Sequence, residues 1–258
     1  MNILYSLIKE FLELLLRNFR KLFVTNRNII VVKSLKKDGL YIVPNYLSKN
    51  KCKQLRDKID EFISNNKTNV WQDAQGADSR IYFINELNEE FQEIYEKNYF
   101  KSVLKEYCGI TQPEGFLLAG KINSVEGNIG SGGGWHRDSP VSHQLKAIIY
   151  LSDVDTENGP FQYIKGSCSK KDVITSYFKK IFKPGQYRFS DTEIDNYISE
   201  TGNVVTDIVA EQGTLIFADT KGLHRGKPIE VGERYVLFCY YWNKKIPGHF
   251  EGLKQKKK

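Results

Sequence analysis

The sequence predicts a mainly β fold with flanking helices, a barrel or jelly roll behind an N-terminal helical layer. Three observations lead there. From about residue 115 onward, short runs rich in β-branched and aromatic residues recur between turn residues. Helical periodicity is concentrated before residue 108. Finally, the strands do not alternate regularly with helices as a βαβ layout requires. A chain of 258 residues fits one such domain, and no internal repeat or low-complexity linker divides it.

Taken in order, residues 1–37 form an amphipathic helix and a basic connector. Leu4, Leu7, Ile8, Phe11, Leu12, Leu15, Phe19, Leu22 and Phe23 have helical spacing. Lys9, Glu10, Glu13, Arg17, Arg20 and Lys21 interrupt them too often for a membrane span or a signal-peptide core. Two readings of this stripe are open: it packs on the domain, or it lies on an anionic membrane surface. The second would be helped by Arg27, Lys33, Lys36 and Lys37 and by the basic tail, residues 247–258.

The body, residues 38–246, begins with a strand at Gly39–Pro44 and a helix capped by Ser48 that carries Leu55, Ile59, Phe62 and Ile63 on one face. A loop with Asp73, Gly76, Asp78 and Arg80 leads to a second helix from about Asn88 to Tyr107. Strands are then expected at Gly115–Asn123, Trp135–Asp138, Leu145–Leu151, Phe161–Ile164, Asn203–Val209, Gly213–Ala218 and Arg234–Trp242. Helical inserts at Ser169–Phe182 and Asp191–Ser199 interrupt them.

Composition narrows the function. Residues 1–39 carry eight Lys/Arg against three acids and residues 244–258 carry six against one, so the net charge of +7 belongs to the ends. The body is slightly acidic, and a nucleic-acid partner is not expected. Cys52, Cys108, Cys168 and Cys239 form no CxxC or zinc-ribbon spacing, which points to a reducing cytoplasm.

His136 and Asp138 stand two residues apart, so on a strand both point to one side. With the distant His224 they make a 2-His-1-carboxylate set. That set suits a non-haem Fe(II) oxygenase, although a three-ligand zinc site uses the same residue types. Gly127, Gly130, Gly132, Gly133 and Gly134 let the chain turn before the ligands, and no Lys-Ser/Thr ending makes this a phosphate loop. Arg234 follows His224 by a hairpin-length turn, and its guanidinium fork matches a carboxylate. A dicarboxylate bound to both metal and Arg234 would satisfy cation and ion together. Lys121 and Asn123, alternating with apolar residues, are candidates to face the interior and touch the co-substrate. Arg80, Trp135, Arg137 and Arg225 flank the site as candidates for substrate contact.

The ordered set of His136-x-Asp138, Leu151-x-Asp153 leading to Asn158-Gly159-Pro160, Gly166-Ser167, Gly213-Thr214-Leu215, His224 and Arg234 resembles the phytanoyl-CoA dioxygenase family of Fe(II)/2-oxoglutarate oxygenases, over roughly residues 38–243. The resemblance implies a double-stranded β-helix (cupin-like jelly roll). In it His136, Asp138 and His224 hold Fe(II), and Arg234 binds the distal carboxylate of 2-oxoglutarate. The implied reaction consumes O2, releases succinate and CO2, and hydroxylates a small-molecule, lipid or saccharide substrate. Related halogenases lack the carboxylate, so Asp138 implies oxygen transfer. Alternatives are an oxidative desaturase, cyclase or epimerase, or a non-catalytic metal- or glycan-binding jelly roll at a membrane surface. Two departures stand out: Gly226 occupies a place where some members carry Ser, and Arg234 sits one position earlier than is common.

Overall fold

The computed structural model describes residues 11–12, 15–22, 27–65, 68–139, 144–243 and 245–254. Leu4, Leu7, Ile8 and Phe23 of the expected N-terminal stripe, and Lys256, Lys257 and Lys258 of the tail, lie outside those residues. Residues 15–21 are helical. Helix α1 (Ile29–Asp38) follows and buries Val31, Val32 and Leu35. Strand β1 (Leu40–Val43) leads into α2 (Lys49–Ser64), whose first turn is capped by the Ser48 side chain accepting from Lys51 N–H.

The loop expected around Asp73 is instead a hairpin of β2 (Trp71–Gln72) and β3 (Asp78–Ile81). Its short polar strands carry no alternating apolar signal, and pairing of β3 with the next long strand defines them. The single helix expected up to Tyr107 is two, α3 (Glu89–Tyr95) and α4 (Asn98–Cys108). Phe91 and Phe100 are both fully buried. Nine residues along one helix are two and a half turns, which would send these rings to opposite sides. The break at Glu96 and Lys97 brings both inward.

The strands that follow are β4 (Pro113–Asn123), β5 (Leu145–Tyr150) and β6 (Phe161–Ile164). Helices α5 (Lys170–Phe178) and α6 (Asp191–Thr201) form the insert. Then come β7 (Val205–Ile208), β8 (Leu215–Asp219), β9 (His224–Gly226) and β10 (Glu233–Asn243). A seven-stranded sheet in the order β1-β8-β5-β10-β4-β3-β2 faces a three-stranded sheet in the order β7-β6-β9. All paired strands are antiparallel, as in a jelly roll.

Alternation divides the large sheet. Along β10, Tyr235, Leu237, Cys239 and Tyr241 pack against the helical layer with Leu55, Phe91, Phe100 and Phe217. Arg234, Val236, Phe238 and Tyr240 point the other way, into the space between the sheets. The insert has its own core of Phe182, Phe189, Ile194, Tyr197 and Trp135.

The described part of the N-terminal stripe is turned to the outside. Phe11, Leu12, Leu15, Leu16, Phe19 and Leu22 are each 49–77% exposed. Among the described residues no helix is long and apolar enough to cross a membrane.

Candidate active site

The segment around His136 is held by backbone bonds on two sides. His136 N–H donates to His224 O at 2.9 Å and His224 N–H returns a bond to His136 O at 3.0 Å. Arg137 N–H donates to Tyr187 O at 2.8 Å, and Asp138 N–H to Thr220 O at 2.9 Å. The first and third side chains of this extended segment therefore point into the interior beside β9, and the middle one points back.

His136, Asp138 and His224 each offer a ligand atom within 4.8 Å of the others. Each imidazole is oriented by its own neighbourhood. His136 Nδ1 lies 2.9 Å from Gly134 O, and His224 Nδ1 lies 2.9 Å from Gly222 O. A carbonyl only accepts, so Nδ1 carries the hydrogen and Nε2 keeps its lone pair for a metal. His224 Nε2 is buried without a hydrogen-bond partner. Burial pulls the His136 pKa down to about 4 and His224 well below its usual value, so both rings are neutral ligands at pH 7. For Asp138, burial opposes ionisation, but Lys146 and the two imidazoles outweigh it and hold the carboxyl well below the usual range. A neutral, neutral, anionic donor set with open positions fits Fe(II).

Lys146 completes this corner. It stands alone in the apolar run of β5, is 5% exposed, and places Nζ 2.6 Å from Asp138 Oδ2 and 4.5 Å from the Tyr240 ring centroid. Asp138 Oδ1, 3.9 Å from His136 Nε2, is left to face a metal.

Arg234 is 2% exposed, and its Nε and Nη1 have no hydrogen-bond partner. Burial lowers its pKa, with Tyr150 and Asp78 the nearest opposing influences. A buried, incompletely paired guanidinium is costly unless an anion joins it. Gly226 leaves space for that anion: a Cβ there would stand 3.1 Å from Arg234 Nη2 and 2.8 Å from Ser131 Cβ. Ser131, from the glycine-rich loop, thus occupies the neighbourhood that a Ser at position 226 would fill. Gly132 of the same loop lies against the imidazole, where a Cβ would meet His136 Cε1 at 2.6 Å.

All these groups open into one cavity of about 610 Å³. Trp71, Tyr82, Tyr240 and Phe250 give it an aromatic wall, and Arg188 lines it from the insert side. Arg80 also lines it, bonded to Asp78 (Nη2 to Oδ2, 2.6 Å) and to Ser131 Oγ (3.1 Å), with Trp71 on its face at 5.2 Å.

Five candidates from the sequence lie elsewhere. Lys121 is on the helix side of β4, bonded to Asp60 at 2.8 Å and paired with Glu233 at 3.3 Å. Asn123 shares its alternation and does not line the cavity. Arg137 is buried behind the ligands, 3.7 Å from Asp172 and 5.7 Å from the Phe182 and Phe189 rings. Trp135 belongs to the insert core, and Arg225 stacks on it at 4.7 Å while bonding Gln162 and Asp191. The interior residues overlooked are Lys146, Ser131, Arg188 and Tyr240. Of these Lys146 left a signal, a lone charge in step with Ile148 and Tyr150 on an otherwise apolar strand.

The chain matches the family model for phytanoyl-CoA dioxygenase (PhyH) over residues 35–230. Among solved structures it is similar to the non-haem α-ketoglutarate-dependent epimerase SnoN from nogalamycin biosynthesis. That likeness has 14% identity, 83% of this chain and 82% of that one covered, and a TM-score of 0.61. The carbocyclase SnoK of the same biosynthesis gives 14% identity, 89% and 92% coverage, and a TM-score of 0.60. HygX from Streptomyces hygroscopicus, solved with nickel, 2-oxoglutarate and hygromycin B, gives 10% identity, 86% and 88% coverage, and a TM-score of 0.58. No curated protein matches the chain.

Proposed function

Because the chain belongs to the phytanoyl-CoA dioxygenase family, we propose that it is an Fe(II)/2-oxoglutarate-dependent hydroxylase of a small molecule, with lipid-linked compounds and saccharides as the substrate classes. One observation carries this reading: three converging ligands share a cavity with a buried guanidinium that lacks partners on two of its nitrogens. His136, Asp138 and His224 would hold the metal. Iron bound there supplies O2 activation coupled to decarboxylation of 2-oxoglutarate. Arg234 takes the far carboxylate of that co-substrate in two charge-assisted hydrogen bonds, with Ser131 beside it. Lys146 keeps one oxygen of Asp138 occupied, so the carboxylate presents a single ligand atom and leaves coordination positions free. Retention of Asp138 favours oxygen transfer over halogenation.

The aromatic wall offers flat apolar faces for a ring system, and Trp71, 39% exposed, marks the entrance. A second reading, oxidative epimerisation or ring closure, draws support from the chemistry of SnoN and SnoK. Product mass separates the readings, since hydroxylation adds one oxygen, ring closure by dehydrogenation removes two hydrogens, and epimerisation changes nothing. Four free, buried cysteines support a reducing, cytoplasmic location.

Anaerobic addition of Fe(II) and 2-oxoglutarate should give a weak visible charge-transfer band, followed in air by substrate-stimulated succinate release. Arg234→Ala should raise the 2-oxoglutarate requirement by at least about a hundredfold, since each of the two charged hydrogen bonds is worth about 1.5–3 kcal/mol. An iron-loaded protein that gives no band and binds no 2-oxoglutarate would overturn the assignment.

A further inference from the structure

The described part of the N-terminal helix is mounted inside out. Phe11, Leu12, Leu15, Leu16, Phe19 and Leu22 fall within one arc of a helical turn and are all exposed. The opposite side faces the protein. There the Arg17 backbone lies against Gly109 at the end of α4, where a Cβ would stand 2.6 Å from Arg17 O. Lys21 reaches over the Tyr107 ring at 5.9 Å, and burial lowers its pKa. A helix that merely closed the domain would bury its leucines and leave its cations in water. The next segment repeats the exposure. Backbone N–H groups of Arg27 and Asn28 donate to Glu106 of α4 at 3.2 and 2.8 Å, while Ile29 and Ile30 are 49% and 69% exposed. Arg27, Lys33, Lys36 and Lys37, on and beside α1, are exposed as well. One helix, α4, therefore carries both apolar segments, with a cluster of cations next to them.

We propose that this face docks on the surface of an anionic membrane, the apolar arc entering the headgroup boundary and the lysines meeting acidic lipids. Apolar residues flanked by cations are the composition of an interfacial helix, and charge complementarity selects an acidic bilayer over a neutral one. A partner of purely apolar character would leave the four cations unanswered. This inference does not depend on the oxygenase reading, because no residue in it lines the cavity.

The test uses the full chain with phosphatidylcholine vesicles, with and without phosphatidylglycerol. The wild type should sediment with the acidic vesicles and stay in solution with the neutral ones. Leu16→Glu/Phe19→Glu should abolish sedimentation, and Lys33→Glu/Lys36→Glu/Lys37→Glu should reduce it at least tenfold. All these side chains are exposed, so melting temperature and succinate release in solution should hold, and both are measured alongside. Wild-type protein that ignores acidic vesicles overturns the proposal. So does unchanged sedimentation of the Glu variants, or a dimer in sedimentation velocity that Leu16→Glu/Phe19→Glu converts to monomer without any vesicle binding.

Discussion

The two faces of the seven-stranded sheet are built from the same strands and obey different rules. On the helix side polar groups come in satisfied pairs: Tyr107 donates to Asp219 at 2.6 Å, and Lys121 to Asp60 at 2.8 Å. On the interior side Arg234 of β10 is buried with partnerless atoms and Lys146 of β5 is held in a close ion pair with Asp138, while the partnerless His224 faces them from β9 of the opposite sheet. An unsatisfied buried group costs about 1–3 kcal/mol or more. The interior face thus gives up stability that the helix face supplies, and a single strand such as β10 does both by turns.

The largest test of that division is His224→Ala. Turnover should fall to background by loss of a ligand, while the urea midpoint stays near wild type, because the ring makes no side-chain bond beyond that to Gly222. Leu237→Ala, on the helix side of β10, should do the reverse. Leu237 is fully buried, so its truncation should cost about 2–5 kcal/mol in urea unfolding and leave turnover per folded molecule intact. Lys146→Met should lower Co(II) affinity by about 10–100-fold, the range for removing a group that orients a metal ligand. Release of Asp138 outweighs the removal of a nearby positive charge, and calorimetry measures the result. Smallest is Lys121→Ala, where a partly exposed ion pair is worth about 0–1 kcal/mol and the 2-oxoglutarate requirement should not move. A large change in that requirement would show that the faces are not separate.

Much of the fold was legible, because strands between turn residues and the cap signal at Ser48 are local properties. The ligand pair was legible for the same reason: two residues apart on extended chain is a local geometry. What failed was phase. Alternation tells that Lys121 and Tyr235 differ in side from Ile122 and Arg234, yet it does not tell which side is the interior. That is settled by the helices packed on the sheet. Sequence neighbourhood misled in the same way at Trp135, Arg137 and Arg225, which adjoin ligands along the chain and turn away from them in space. The inside-out N-terminal helix has a related cause, since periodicity defines a stripe and leaves its direction open.

Arg137 has a consequence for anyone who would re-engineer the pocket. It is the residue between two ligands, and it is clamped from behind by Asp172 of α5 and by the aromatic pair Phe182 and Phe189. The expected strand at Trp135–Asp138 is an extended segment with isolated bridges at His136, and the insert is the pedestal of that segment and not a replaceable cassette. Loops at the cavity entrance can be exchanged to change what enters, whereas grafting a foreign segment over residues 169–201 would unseat the ligands from the rear.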